Sequence, residues 1–322
     1  MGSNTSTPHP KLHAAAFTHP AIDNHAHPLL RSSTHPDLPF EGLISEASGD
    51  ALTSDAPHTL AFYRAATQLA SLFGLPHKGS SQETWDAIKA KRAELEYTEL
   101  CRRSFEPTGI QCILIDDGLG VRDIVHEIPW HDQFTHSPAK RVVRIEVVAE
   151  EILTEIFATL NSSPSKEDLR HGITLFLAKL HEALDLSAAD PEVTAFKSVV
   201  AYRSGLAVYA AAVEEDLEEL IAAFQNIHER HIGSDKVRLQ EKVLNDRVVC
   251  VALQTSASCG KPESYYLGTL QGRQALYDVL SETVHAGEIT EAVAVEIVEN
   301  ALFHNANRIY NLGLEPHTQA QR

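Results

Sequence analysis

Short apolar runs alternate with longer stretches of helical periodicity in the first two thirds of the chain. The runs predicted as strands cover residues 21–23, 110–116, 142–146 and 195–200. Residues 110–116 are apolar at nearly every position, as in parallel strands that are covered on both faces. This alternation is typical of βα units around a parallel sheet.

The predicted helices lie at residues 57–74, 81–105 and 165–184, and the last third of the chain is predicted to be entirely helical. Its helices cover residues 213–228, 235–255, 265–285 and 290–310. The β-branched run 248–253 continues a helical pattern, so it is not counted as a strand. About four strands are therefore expected, whereas a complete α/β barrel has eight.

Charge and cysteine content narrow the class of protein. The 322 residues include 27 basic and 44 acidic side chains, for a net charge of −17, which disfavours a nucleic-acid surface. No apolar run approaches the roughly 20 residues that span a bilayer. The four cysteines are widely spaced without a Cys-x-x-Cys pair, as expected for a reducing compartment. The first 20 residues lack a signal-peptide pattern, so we expect a cytoplasmic protein.

The amino terminus matches the myristoylation consensus, with Gly2 as acceptor and Ser6 in place. A chance match of a short Ser/Thr/Asn-rich start is the alternative. A single acyl chain would in either case anchor the protein only marginally.

The sharpest candidate site is the pair His25 and His27, which directly follows the first predicted strand. Alternate residues of an extended segment point the same way, so two imidazoles could face one ion. Zinc binds neutral imidazole readily, and α/β barrels place their sites at the carboxyl ends of strands. The chain has 18 histidines, so a chance pair is the competing interpretation.

The segment Asp23-Asn-His-Ala-His-Pro-Leu-Leu30 resembles the opening strand of the amidohydrolase-related (amidohydrolase 2) superfamily. It is most similar to the branch that forms the N-terminal domain of fluG-type, nodulin/glutamine-synthetase-like proteins. Further matching segments follow in the same order, at residues 109–119, 141–146, 196–206 and 302–312. The resemblance implies one domain over residues 12–312, with tails at 1–11 and 313–322.

The resemblance also implies a fold and an activity. The fold would be a TIM-barrel-like metal-dependent hydrolase fold, here an incomplete barrel of about four to five strands with a helical C-terminal segment. The activity would be cleavage of an amide or related C–N or C–C bond of a small molecule by water activated on a divalent ion, zinc or manganese. A non-catalytic regulatory or developmental protein that acts by binding a partner is the alternative.

One departure from the family bears directly on activity. In the family, strands with two metal-binding histidines and a final aspartate follow a Lys-Pro that resembles Lys261-Pro262. Here that pair runs directly into Glu263, in a segment that resembles the one after the final aspartate. The resemblance therefore implies that the later barrel strands are deleted near 262/263. Three expected site residues would be lost with them, which predicts little or no hydrolase activity.

Two residues are candidates to complete a metal site with His25 and His27. Lys197 ends the fourth predicted strand, where some metal hydrolases carry a carbamylated lysine; an ion pair with an acidic neighbour is the alternative. Glu146 ends the third, where it could bind metal or orient a histidine. A salt bridge of Glu146 with Arg144 or Arg203 is the favoured alternative.

Three residues are candidates for substrate binding. Arg203 and Tyr202 would suit a substrate carboxylate, against an equal chance of structural pairing. Asp116 ends the second strand beside Asp117, and one of the two is expected to be functional or to form a network of contacts while the other belongs to a turn. The loop histidines His126, His131 and His136 are interpreted as ordinary loop residues rather than ligands. An incomplete barrel would leave apolar faces and strand edges uncovered, so a homo-oligomer is a further expectation.

Overall fold

The computed structural model describes residues 8–33, 39–76, 81–118, 122–205, 207–208, 217–232, 234, 236–252 and 262–317, without the side chains of 122 and 262–268. Its centre is a four-stranded sheet in the order β1-β2-β3-β4. The strands are β1 (Ala21–Ala26), β2 (Ile110–Asp116), β3 (Lys140–Arg144) and β4 (Val193–Lys197). Each neighbouring pair is parallel. The predicted α/β class and incomplete parallel barrel are confirmed.

Helices make up most of the rest of the described chain. They are α1 (Pro10–Thr18), α2 (Leu60–Leu72), α3 (Ser81–Ala93), α4 (Tyr97–Phe105), α5 (Ile145–Phe157), α6 (Lys166–Ala189), α7 (Leu217–His231), α8 (Lys242–Ala252), α9 (Pro262–His285), α10 (Glu291–Glu299) and α11 (Asn305–Ile309). A π-helical turn, Asn300–His304, joins α10 to α11. Among the described helices, none has the length and apolar character needed to cross a bilayer.

Several predicted boundaries were wrong for local reasons. The helix predicted over 81–105 is two helices, because the Glu96 side chain accepts hydrogen bonds from the backbone of Thr98 and Glu99 and starts α4 afresh. The strand predicted over 142–146 ends at Arg144, and α5, which was not predicted, begins at once. Gly2, Ser6 and Lys261 lie outside the described residues, as does residue 253 at the end of the run 248–253.

The outer face of the sheet is covered by two clusters of helices. Ile113 and Ile115 of β2 pack in one apolar cluster with α2, α3 and α4. Ile145 and Val200, which follow β3 and β4, belong to a second cluster that is built from α5 to α8. Burial of these side chains is the main apolar contribution to the stability of the fold.

The C-terminal segment, which we define as residues 300–317, covers part of the opposite, inner face. Phe303 and Ala306 pack on inner-face side chains from the four strands, in the order Ile22, Cys112 with Leu114, Val142 and Ala195. The Thr194 hydroxyl donates to the Tyr310 carbonyl at 2.9 Å. The expectation that this apolar face stays uncovered is therefore wrong for the part of the face that Phe303 and Ala306 cover.

Candidate functional site

Charged and imidazole side chains gather at the carboxyl end of the sheet. His25 lies in β1 and His27 just after it; Asp116 ends β2, Arg144 ends β3 and Lys197 ends β4. We call these five residues the strand-end centre. Parallel strands bring their carboxyl ends to one edge, where α/β barrels hold their sites. The sequence analysis had named four of these five residues, all except Arg144, as site candidates at or just after strand ends.

An irregularity in β1 sets the direction of the two histidines. Asp23 is opposite Ile113 of β2, but Ala26 is opposite Ile115, so β1 holds one extra residue there. Ala26 packs into the outer apolar cluster. Because neighbouring side chains of a strand point to opposite faces, His25 and His27 are turned towards the inner face.

Asp116 is the hub of the strand-end centre. Its Oδ2 atom lies 2.6 Å from Arg144 Nη2 and 2.6 Å from Lys197 Nζ. Its Oδ1 atom accepts a hydrogen bond from the backbone of Gly118 at 2.9 Å. Burial alone would raise the pKa of Asp116, but the hydrogen bonds from Arg144 and Lys197 outweigh it and hold the pKa below the usual value. Asp116 is therefore an ionised carboxylate that is engaged at both oxygens.

Lys197 and Arg144 bring two positive charges to this one carboxylate. The Lys197 side chain is only 1% exposed. Burial lowers the pKa of Lys197, Asp116 opposes that shift, and the positive charge of Arg144 adds to it. Gly118 permits this packing, because a Cβ atom there would lie 2.3 Å from Arg144 Cβ.

Both histidines are held in the neutral form. Burial of part of the ring, followed by the charge of Lys197, lowers the pKa of His25 to about 4, although the residue is exposed overall. Burial also lowers the pKa of His27, against the opposing charge of Asp116. His27 Nδ1 donates to the Asp116 carbonyl oxygen at 2.8 Å, so its proton lies on Nδ1.

Glu146 stands in the first turn of α5 rather than at a strand end, because the chain becomes helical at Ile145. It is fully buried. Its Oε1 atom accepts hydrogen bonds from the Ser198 hydroxyl at 2.5 Å and the Val199 backbone at 2.8 Å. The salt bridge that we favoured for it is not formed among the described residues, since Arg144 pairs with Asp116 instead.

The two substrate-binding candidates beyond β4 make no described contact with the strand-end centre. The Arg203 guanidinium is 10% exposed and pairs with Glu150 of α5. It also donates to the Leu239 carbonyl at 3.1 Å. Tyr202 is 81% exposed. Through these contacts Arg203 connects α5 to the segment that contains Leu239. The roles of Arg203 and Tyr202 in substrate binding stay predictions.

The three loop histidines are held by neighbouring side chains and backbone. His131 is buried; its Nε2 atom accepts from the Leu29 backbone at 2.9 Å, and its Nδ1 atom faces the carbonyls of Glu127 and Ile128. His126 stacks on Trp130, and His136 lies against His317. These contacts are typical of the ordinary loop residues that we expected.

Two residues at this end of the sheet, one in the strand-end centre and one beside it, escaped the sequence analysis. Arg144 was considered only as a partner for Glu146, and Gly118 only as part of a turn. The Asp-Asp-Gly sequence after β2 and an arginine two positions before Glu146 were the available signals. Neither identifies a partner across the sheet, because the contact depends on the register between β2 and β3.

The donor set of the strand-end centre does not fit a catalytic divalent ion. Over the described residues, there is no group of three or more His, Cys, Asp or Glu side chains that could hold a metal. Metal catalysis needs about three protein ligands and an open position. His25 and His27 supply two, Asp116 is engaged at both oxygens, and the Lys197 ammonium would repel a cation. The expected zinc or manganese ion is therefore not supported by these residues.

Comparison with known proteins supports the resemblance in part. No family model matches the chain. The chain is 40% identical over 242 residues, 72% of its length, to protein fluG of Emericella nidulans (strain FGSC A4). It spans only 27% of the length of that protein.

Two solved structures align with the chain, and one of them is similar in fold. A candidate metal-dependent hydrolase from Lactobacillus casei ATCC 334 superposes with a TM-score of 0.66 at 16% identity, covering 94% of this chain and 97% of the other. A uronate isomerase from Bacillus halodurans C-125 gives 0.41 at 10% identity over 94% and 96% of the two chains. The chain thus has the fold of the Lactobacillus protein and is similar in sequence to part of fluG.

Proposed function

We propose that this chain is an amidohydrolase-related, fluG-type domain that has little or no metal-dependent hydrolase activity and acts by binding other molecules. The observation that carries the proposal is the state of Asp116. Its carboxylate is neutralised by Arg144 and Lys197 within the strand-end centre. A carboxylate held in this way is a structural ion pair and not a metal ligand or a base.

Electrostatics supports the same proposal. Activation of water on a metal requires a firmly held ion and a base close to it. Lys197 and Arg144 place two positive charges around one carboxylate, so the space beside His25 is unfavourable for a divalent cation. The His27 imidazole retains a hydrogen-bonding role there, because its Nδ1 atom donates to the Asp116 backbone carbonyl.

Hydrolysis of an amide or a related C–N or C–C bond is the second candidate. The observation that favours it is the lowered pKa of both histidines, because neutral imidazole is the form that binds divalent ions. The same activity would require the Lys197 ammonium to lose a proton and the resulting amine to add CO2, which gives a carbamate and releases a second proton. Burial favours the neutral amine that such a conversion needs, but the Asp116 ion pair stabilises the ammonium form.

A direct test is an activity assay of the purified 322-residue chain against amides and γ-glutamyl compounds with added zinc or manganese. We expect no turnover above the metal-free background. A double variant, His25→Ala with His27→Ala, should give the same background. Metal-dependent turnover that is lost in the double variant would refute the proposal and establish the second candidate.

A further inference from the structure

A cavity of about 340 Å³ opens beside the strand-end centre. Its walls include Pro28, which follows His27, and Asp117, which follows Asp116. Four of its lining residues are apolar: Pro28, Val125, Ile128 and Pro129. The volume lies in the range of about 300–1,000 Å³ that small-molecule sites occupy, and such sites combine mostly apolar walls with few polar groups.

Backbone contacts hold the cavity in shape. Leu30 and Val125 form an antiparallel bridge. The His126 backbone donates to the Leu29 carbonyl at 2.8 Å, and the Arg31 backbone donates to the Ile124 carbonyl at 2.7 Å. The loop after β2 is therefore fastened to the segment after β1, and the cavity between them exists before any ligand binds.

Arg31 supplies a positive charge at this cavity. Its Nε atom donates to the Val125 carbonyl at 2.8 Å, which fixes the guanidinium at the wall. No carboxylate of the described residues lies within ion-pair distance of Arg31. The Asp117 carboxylate lines the same cavity but pairs with Arg141 at 3.0 Å, so its charge is already compensated. Among the described residues that line the cavity, Arg31 is thus a cation without a carboxylate partner.

His126 presents a rigid polar edge beside Arg31. Its ring lies parallel to the Trp130 ring with centroids 3.6 Å apart. Its Nε2 atom is buried and has no hydrogen-bond partner among the described residues. Burial, and then the charge of Arg31, lowers the pKa of His126, so the ring is neutral near pH 7. The neutral ring therefore adds no charge to the cavity beside Arg31.

We propose that this cavity binds a small carboxylate with a compact apolar body. The carboxylate would pair with the Arg31 guanidinium, whose planar fork matches two oxygens. The apolar body would lie against Val125, Ile128 and Pro129. The inference deepens the proposed binding function by naming the class of ligand. Glu127 also lines the cavity, at an exposed position, and its negative charge weakens the attraction for a carboxylate.

The test measures binding of phenylacetate and hexanoate to the full chain by isothermal titration, with phenylacetamide and hexanamide as neutral counterparts. We expect the carboxylates to bind at least about 10-fold more tightly than the amides, as a charged hydrogen-bonded pair allows. Arg31→Gln should remove this preference, and Glu127→Gln should strengthen carboxylate binding. Arg64→Gln, which removes an exposed arginine of α2, is the matched control and should leave affinity unchanged.

Two results would overturn the proposal: no binding of either carboxylate to the wild-type chain, or equal affinities in the wild type and Arg31→Gln. A thermal melt of Arg31→Gln confirms folding, since this arginine is exposed. The outcome of the hydrolase assay is independent of the outcome of the carboxylate-binding experiment. Metal-dependent turnover with Arg31-dependent carboxylate binding would refute the proposed function alone, whereas absent turnover without carboxylate binding would refute the cavity proposal alone.

Discussion

The inner face of the sheet is stabilised differently at its two ends. At the amino end, apolar side chains such as Cys112 and Leu114 are covered by Phe303 of the C-terminal segment. At the carboxyl end, the next inner-face position of β2 is Asp116, and its charge is compensated by Arg144 and Lys197 from the neighbouring strands. The amino end is covered by a segment that is distant in sequence, whereas the charges at the carboxyl end compensate one another.

This difference explains how the inner face of a four-stranded sheet can be buried without the other four strands of a complete barrel. Apolar surface at the amino end would otherwise face water, and the C-terminal segment removes it from solvent. Ionised groups at the carboxyl end are stable in a buried place only when they are paired. The same pairing engages the carboxylate that lies beside His27, so under the proposed function Asp116 stabilises the fold and does not bind a metal.

Loss of the Asp116 carboxylate should cause the largest decrease in the free energy of unfolding. Asp116→Asn leaves Arg144 and Lys197 buried together without a counter-charge, and breaking a buried pair in this way costs about 3–5 kcal/mol. Chemical denaturation should show that decrease in the free energy of unfolding. Asp117→Asn is the matched control, because its pair with Arg141 is partly exposed and should contribute at most about 1 kcal/mol. Equal costs for the two variants would contradict the central role of Asp116.

Loss of the Phe303 side chain, which covers the inner face, should cause the next largest decrease in the free energy of unfolding. Phe303 is fully buried on the inner face, so Phe303→Ala should lower the free energy of unfolding by about 3 kcal/mol, the lower end for a buried phenylalanine. Ile309→Ala, in the same C-terminal segment but 66% exposed, should change it by less than about 0.5 kcal/mol. If Phe303→Ala is as mild as Ile309→Ala in denaturant unfolding, the C-terminal segment does not cover the inner face.

The close approach of β2 and β3 at the charged end can be tested with one methyl group. Gly118→Ala places a Cβ atom 2.3 Å from Arg144 Cβ, and relief of the clash should cost about 1–3 kcal/mol. Gly272→Ala, in α9, meets no atom within 4 Å and should be neutral or slightly stabilising. Thermal melts of both variants provide the comparison. An unchanged midpoint for Gly118→Ala would show that Arg144 is placed differently.

The sequence predicted the sheet better than it predicted what covers the sheet. Residues 110–116 were placed as a buried strand and are β2, because an apolar run between turn residues is a local signal. His25, Asp116 and Lys197 were placed at strand ends for the same reason. The cover by Phe303 depends on a contact between residues nearly 200 positions apart along the chain, which no local pattern records.

Side-chain partners were the other limit of prediction. Glu146 was expected to pair with Arg144 or Arg203, but the start of α5 turns it towards Ser198. The direction of His25 and His27 depends on the extra residue in β1, which only the register with β2 reveals. Strand ends can thus be located from sequence, whereas the pairing of charges across strands requires the register.

The last prediction concerns the pH dependence of stability that His131 causes. This buried histidine makes its hydrogen bonds in the neutral form. Burial lowers its pKa to about 4, so the unfolded chain, with an ordinary pKa near 6.5, binds its proton first as pH falls. Stability from His131 is therefore complete above about pH 6.5 and is lost towards pH 4, by about 2 kcal/mol at pH 5. His131→Gln should show a correspondingly shallower loss of unfolding free energy between pH 7 and pH 5. An identical slope would contradict the buried neutral state.

The most direct test of the central claim is the metal content of the purified chain after equilibration with zinc or manganese and removal of free ions. Because Asp116 is committed to Arg144 and Lys197, we predict far less than one tightly bound equivalent per chain. We also predict the same content in the variant that combines His25→Ala with His27→Ala. One tightly bound equivalent in the wild type that disappears in this variant would contradict the account.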